Sequence, residues 1–419
     1  MRAGVYRGVR QVPIEDVPEP SPGPRDIVLQ VRACGICGSD LHTYAQGLFA
    51  EEGQVMGHEF AGEVVEVGPE VEGIAVGDRV TGLPIQPCGD CRQCLEGREH
   101  LCETWTRRSV GYGIPGAFAE RLWIPQAVLG GNVHKLPDGL AFEDAALVEP
   151  LAVGVHAVGQ ADPGPDDVAL VLGLGTIGLQ VAQVLLARGV GQVIGADLSP
   201  LRRSVAGGLG VTAVAGGDLG TAVAEAAGFR PIDVVFEATG APQLVHGALE
   251  IVRPAGTVVL IALYEERAEL DPTMIVQKEI TVRGSAIYTP DEFHEAIDLL
   301  ASGRAKGQPL ITHRWPLEDL GEAFEAQLEK DSAIKVIITS DGGLEATASL
   351  RFACACVLLA LRSNGDQERA SCPHRVHPGR GRPRGGRDRR RLGRADRVGP
   401  AAGAGWRAQP GPPLRRRLS

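Results

Sequence analysis

Short unbroken apolar runs alternate with amphipathic stretches along the middle of the chain. VALVL at residues 168–172, IDVVFEATG from Ile232 and GTVVLIAL from Gly256 read as buried parallel strands, and QLVHGALEIV carries a helical period between the last two. This alternation predicts an α/β fold with helices packed on a doubly wound sheet. After residue 342 the pattern stops. Only LRFACACVLLAL at residues 350–361 could form a further element, and it is too short to span a bilayer.

Charge divides the chain at the same place. The net charge is −10, but residues 343–419 contain 17 Arg, no Lys and 5 acids, so residues 1–342 carry −22. Nucleic acid is therefore not expected as a partner of the core. A basic arm for nucleic acid or acidic partners is one reading of the tail. The preferred reading is out-of-frame translation of a GC-rich gene, in which Arg, Gly, Pro and Ala codons abound. Six of the nine cysteines fall between residues 34 and 102. That clustering suits metal binding in a reducing compartment. The amino-terminal stretch has no apolar core of a signal peptide, and no segment is long enough for a membrane helix, so a cytoplasmic protein is expected.

The run CGDCRQCLEGREHLC places Cys88, Cys91, Cys94 and Cys102 close enough to close around one ion. Four thiolates fill the tetrahedral shell of Zn²⁺ and leave no position for water or substrate, so this lobe (residues 88–102) is expected to be structural. Two disulfides or four unrelated thiols are the alternatives, and tight Cys-x-x-Cys spacing without a secretory signal favours the metal. Cys34 is left for burial in a strand, and Cys354, Cys356 and Cys372 in the tail receive no metal.

A second group mixes ligand types: Cys37 in ACGICGSDLH, His58 and Glu59 in GHEFAGEVVEVG, and Glu149 in LVEPLAVGVHAV. A thiolate, an imidazole and a carboxylate form an incomplete shell that can admit an alcohol oxygen. Their separation along the chain leaves a buried thiol or a hydrogen-bonded imidazole open as explanations for each one singly. Gly173, Gly175 and Gly178, with Thr176 and Ile177 between the last two, follow the first strand at dinucleotide-fingerprint spacing. The first permits a tight turn, the second admits a pyrophosphate, and the third lets helix and strand pack. Asp197 lies about 20 residues on, where a carboxylate binds ribose hydroxyls and points to NAD. Arg202 and Arg203 keep NADP as an alternative, and a solvated helix start is their other reading.

In their order along residues 1–340, GICGSDLH, GHEFAGEVVEVG, the cysteine lobe, VEPLAVGVHA and the glycine fingerprint resemble the zinc-dependent medium-chain dehydrogenase/reductase family, closest to its butanediol, sorbitol and threonine dehydrogenase branch. The resemblance implies a GroES-like catalytic domain (1–151 and 290–342) interrupted by a Rossmann domain (152–289), two zinc ions per subunit and a homo-dimer or homo-tetramer. Thr257–Ile261 or Glu279–Gly284 is the sheet edge expected to join subunits. It also implies zinc-assisted formation of an alkoxide, hydride transfer to NAD, and proton exit through Ser39, the nicotinamide ribose and His42. Asp40 would orient the zinc-bound imidazole of His58, and capping of the local helix is its other role. Glu59 and Glu149 compete for the remaining ligand position; capping of an apolar helix is the other reading of Glu149. His156, on the same helical face, is expected to be a core residue. The substrate implied is a small diol or polyol. L-Threonine is the alternative suggested by PLITHRW, weakened because GLPIQPCGDC and Glu149-Pro150 depart from that branch. A zinc-stabilised NAD-binding protein without turnover is the non-enzymatic alternative.

Overall fold

The computed structural model describes residues 1–339. The basic tail (343–419), the apolar run at 350–361 and Cys354, Cys356 and Cys372 lie outside them. Among the described residues, no helix is long and apolar enough to cross a membrane.

Six parallel strands form one sheet in the spatial order Thr212–Ala215, Gln192–Asp197, Val168–Leu172, Ile232–Glu237, Val252–Leu260, Thr281–Gly284. Val168–Leu172 is buried along its whole length. Strands covered on both faces can be uniformly apolar in this way. The strand order reverses beside Val168–Leu172, creating a crevice at the carboxyl ends of the strands. Thr257–Leu260 is paired on both sides, so this stretch cannot be the exposed edge considered from sequence; Thr281–Gly284 is one edge strand and Thr212–Ala215 the other.

Helix Thr176–Ala187 packs closely on helix Val148–Gly159 at Gly154. A Cβ there would meet the Gln180 backbone at 3.0 Å. The glycine turn is equally tight: Gly173 has φ +88°, and a Cβ on Gly178 would fall 1.7 Å from the Gly173 carbonyl oxygen.

The second sheet brings distant parts of the chain together. Strand Ile27–Gly35 pairs antiparallel with Glu59–Val67 on one side; on the other it pairs with Arg121–Ile124 and with Lys335–Thr339. Parallel pairing of Ile311–Pro316 with Lys335–Thr339 adds the returning chain to this sheet. Gly35 stands opposite both Glu59 and Ile337. Cys37, just beyond the strand end, is thereby brought within interaction range of both His58 and Lys335. The fold is therefore a GroES-like sheet domain combined with a Rossmann sheet.

Candidate active site and metal centres

Cys37 precedes helix Gly38–Gln46, and Asp40 in the first turn serves two neighbours. One carboxylate oxygen accepts the Cys37 N–H at 3.0 Å; the other lies 3.7 Å from His58 Nδ1. Asp40 therefore caps the helix and faces the imidazole as well. Both groups are buried. Burial opposes the charged form of His58, yet Asp40 and Cys37 beside it hold its pKa well above the usual value. Burial raises the pKa of Asp40.

Glu149 arrives from the first turn of helix Val148–Gly159, and its carboxylate accepts a hydrogen bond from the buried Tyr288 hydroxyl at 2.9 Å. That bond, rather than helix capping, occupies the side chain. Burial pushes its pKa up to about 7, with Glu59 adding to the rise while His58, Tyr288 and Lys335 oppose it. Glu59 has a different partner. Lys335 Nζ donates to its two oxygens at 2.8 and 2.6 Å and to the Ile36 carbonyl at 2.9 Å, all within the interior. Gly35 makes room for this pair, since a Cβ there would lie 2.0 Å from Glu59 Oε2.

Ser39 and His42 lie on the same helix. The Tyr112 hydroxyl donates to Ser39 Oγ at 2.7 Å, and the Tyr112 ring lies 5.2 Å from that of His58. His156, in contrast, is engaged elsewhere: its Nδ1 meets Glu292 at 2.9 Å, and Gln160 reaches its other ring nitrogen.

The four lobe cysteines are free thiols, and their sulfurs all lie within 4.8 Å of one another. Measured contacts are 3.8 Å for Cys88–Cys94 and 3.5 Å for Cys91–Cys94. Tetrahedral Zn–S bonds of about 2.3 Å separate the sulfurs by about 3.8 Å, whereas a disulfide would bring them to about 2.05 Å. Backbone N–H groups of Cys88 and Cys91 point at Cys102 Sγ and Cys88 Sγ, both at 3.3 Å, as suits thiolates. Among the described residues this is the one group whose ligand atoms are all so close. Cys37, His58 and Glu149 form a looser set, with Glu149 drawn to Tyr288. The donors nevertheless fit zinc: a thiol hydrogen-bonded to a buried imidazole, with a buried carboxylate acting on that imidazole.

At the glycine turn, Asp197 accepts the N–H groups of Leu174 and Ser199 at 2.7 and 2.8 Å. Arg202 lies 3.7 Å from Asp197 and also binds the Ala333 carbonyl, while Arg203 binds the carbonyls of Asp197 and Leu198. Thr176 Oγ1 donates to the Ile334 carbonyl, and Ile177 packs against the core. A Cβ on Gly175 would meet only Arg202, at 3.7 Å, so the turn is open on that side. Sequence reasoning missed Tyr112, Tyr288, Gly35 and Lys335. A tyrosine beside Thr289-Pro290 or a lysine opening an apolar strand carries no local sign of a partner more than a hundred residues away.

Residues 23–138 match the alcohol dehydrogenase GroES-like domain, and residues 174–302 match the zinc-binding dehydrogenase domain. Sorbitol dehydrogenase of Bacillus subtilis is 33% identical over 347 residues, spanning 81% of this chain and 97% of that protein. (R,R)-Butanediol dehydrogenase of the same organism is 36% identical over 353 residues, with 81% and 99% covered. An L-threonine 3-dehydrogenase of Yersinia pestis is 34% identical over 338 residues, with 78% and 95% covered. Among solved structures, an alcohol dehydrogenase of Escherichia coli CFT073 complexed with NADH superposes with a TM-score of 0.74 at 29% identity, covering 81% of this chain and 99% of its own. The chain belongs to the zinc-dependent medium-chain dehydrogenase/reductase family. Within that family it is an alcohol or polyol dehydrogenase.

Proposed function

We propose that the protein oxidises a secondary alcohol of a small diol or polyol to the ketone, using NAD and a zinc ion held by Cys37, His58 and Glu149. The observation that carries this reading is the sheet register that sets Cys37 beside His58, with Ser39 and Tyr112 adjacent. The four lobe cysteines hold a second, structural zinc. When bound, the catalytic zinc supplies Lewis-acid polarisation of the alcohol oxygen and NAD accepts the hydride. Asp40 orients the His58 ring, a contact that sets tautomer and ligand basicity. Tyr288 steadies Glu149. Glu59 is left out of the ligand set, because both its oxygens are bound to Lys335. Ser39 takes the alcohol proton, oriented by the hydrogen bond from Tyr112, and His42 delivers it to solvent. The family's oligomeric character supports a homo-dimer or homo-tetramer, with Thr281–Gly284 as one of the two edges of the parallel sheet.

The departures of GLPIQPCGDC and Glu149-Pro150 from the threonine dehydrogenase pattern support a neutral diol over L-threonine. Rates on a panel of 2,3-butanediol, sorbitol and L-threonine test this; exclusive use of L-threonine defeats the diol reading.

His42→Gln should slow alcohol oxidation most near and below neutral pH, where bulk base is scarce. Added buffer base should partly restore the rate, because a diffusible acceptor can replace a positioned one. An unchanged pH profile without buffer response would remove His42 from the relay.

Asp197 supports NAD over NADP through repulsion of the extra phosphate, and Arg202 and Arg203 are both tied to protein groups. Asp197→Ser should narrow or reverse the preference. Equal efficiency of the parent enzyme with both cofactors would refute the assignment.

A further inference from the structure

We infer that Glu265 is a positioning residue for proton release: its carboxylate holds His42 from across the cofactor cleft and fixes the ring tautomer that leaves Nε2 free to take the proton. The inference rests on the relay reading above. His42 Nδ1 lies 3.1 Å from Glu265 Oε1, although the two residues belong to different sheets' connections. His42 is on helix Gly38–Gln46 of the catalytic domain. Glu265 is on the loop that leaves the carboxyl end of strand Val252–Leu260, beside the cofactor crevice.

The loop is anchored next to this contact. Tyr264 donates its hydroxyl to Glu237, a fully buried carboxylate at the end of strand Ile232–Glu237 that also accepts the Thr239 N–H at 2.8 Å. Gly240 packs under the same loop, since a Cβ there would lie 2.7 Å from the Leu263 carbonyl oxygen. Glu265 thus projects from a fixed neighbour. Its side chain is 54% exposed and that of His42 20%, so the pair lies at the boundary between cleft and solvent, where a relay must end.

A contact of this length between a ring nitrogen and a carboxylate calls for a proton between them. Nδ1–H then donates to Glu265, and Nε2 remains as the acceptor. A proton taken at Nε2 makes an imidazolium facing a carboxylate. Loss of one proton to water returns the ring to its neutral form. Among the described residues, Glu265 is the charged group in contact with His42. Phe49 packs edge-on at 6.3 Å, and Asp40 on the same helix faces His58 and the Cys37 N–H. Because the carboxylate comes from the cofactor-binding side, the relay is complete only when the two sides of the cleft are together.

The test compares Glu265→Gln, Glu265→Ala and Glu265→Asp with His42→Gln in the zinc-loaded enzyme. It reads kcat from pH 6 to 9, response to buffer concentration, NADH affinity and zinc content. Glu265→Gln is expected to lose about tenfold near neutral pH, a part of the roughly hundredfold or more that a positioned general base contributes, with the deficit shrinking at high pH and under added buffer base. Glu265→Asp should recover part of the loss, and zinc content and NADH affinity should stay at parent values. A uniform loss at all pH values, or none, with no buffer response while His42→Gln does respond, overturns this inference and leaves the relay standing. Absence of response in His42→Gln as well brings down the relay itself.

Discussion

Replacing Cys37 with Ser is expected to reduce turnover by about a thousandfold or more while the fold is retained. Lewis-acid stabilisation of developing charge is worth several kcal/mol, and about 4 kcal/mol is a factor of a thousand in rate. A serine hydroxyl is a poor substitute for a thiolate in the proposed shell of Cys37, His58 and Glu149. Replacing Cys94 with Ser should act differently. Its sulfur lies within 3.8 Å of Cys88 and 3.5 Å of Cys91 at the centre of the lobe, so its loss should chiefly lower stability or assembly. Zinc analysis, thermal denaturation and kcat on the same preparations distinguish the two effects. Active, unstripped parent enzyme containing only trace zinc would defeat both expectations.

Lys335→Met is expected to be the most destabilising single change in the sheet. The side chain is 1% exposed as a residue and donates to both oxygens of Glu59, which is equally buried. Burial opposes the ammonium charge, but Glu59, Cys37 and Glu149 more than offset it, and the lysine pKa is raised. Removing the cation leaves a carboxylate buried without its partner, a change that costs about 3–5 kcal/mol. The double variant Lys335→Met with Glu59→Gln should recover most of that loss, because no uncompensated charge remains. Denaturant unfolding of the four proteins in this cycle measures the coupling. A loss below about 1 kcal/mol in Lys335→Met would show that the pair is not holding the sheet.

The same pair shows where sequence reading reached its limit. Glu59 was legible as a chemical group because it follows His58 in a recognisable segment, but its partner enters from the far end of the catalytic sheet. Only the antiparallel register of Lys335–Thr339 against Ile27–Gly35 brings them together. The lobe cysteines lie at the other extreme. Their spacing confines four sulfurs to one turn-rich segment, and the structure brings them to metal-binding separations.

Local covalent distance explains what the sequence determined by itself. The glycine fingerprint, the apolar strand at 168–172, Asp197 at the end of the next strand and the cysteine lobe are short-range patterns. Each is dictated by backbone sterics, by burial on both faces of a sheet or by the reach of a few residues. Which strand forms the sheet edge, that Tyr288 meets Glu149, that Tyr112 meets Ser39 and that Glu265 meets His42 were decided by tertiary structure alone. Those contacts join residues 73 to 223 positions apart; hydrophobic periodicity constrains which face of an element is buried, but not which distant polar group it will meet there.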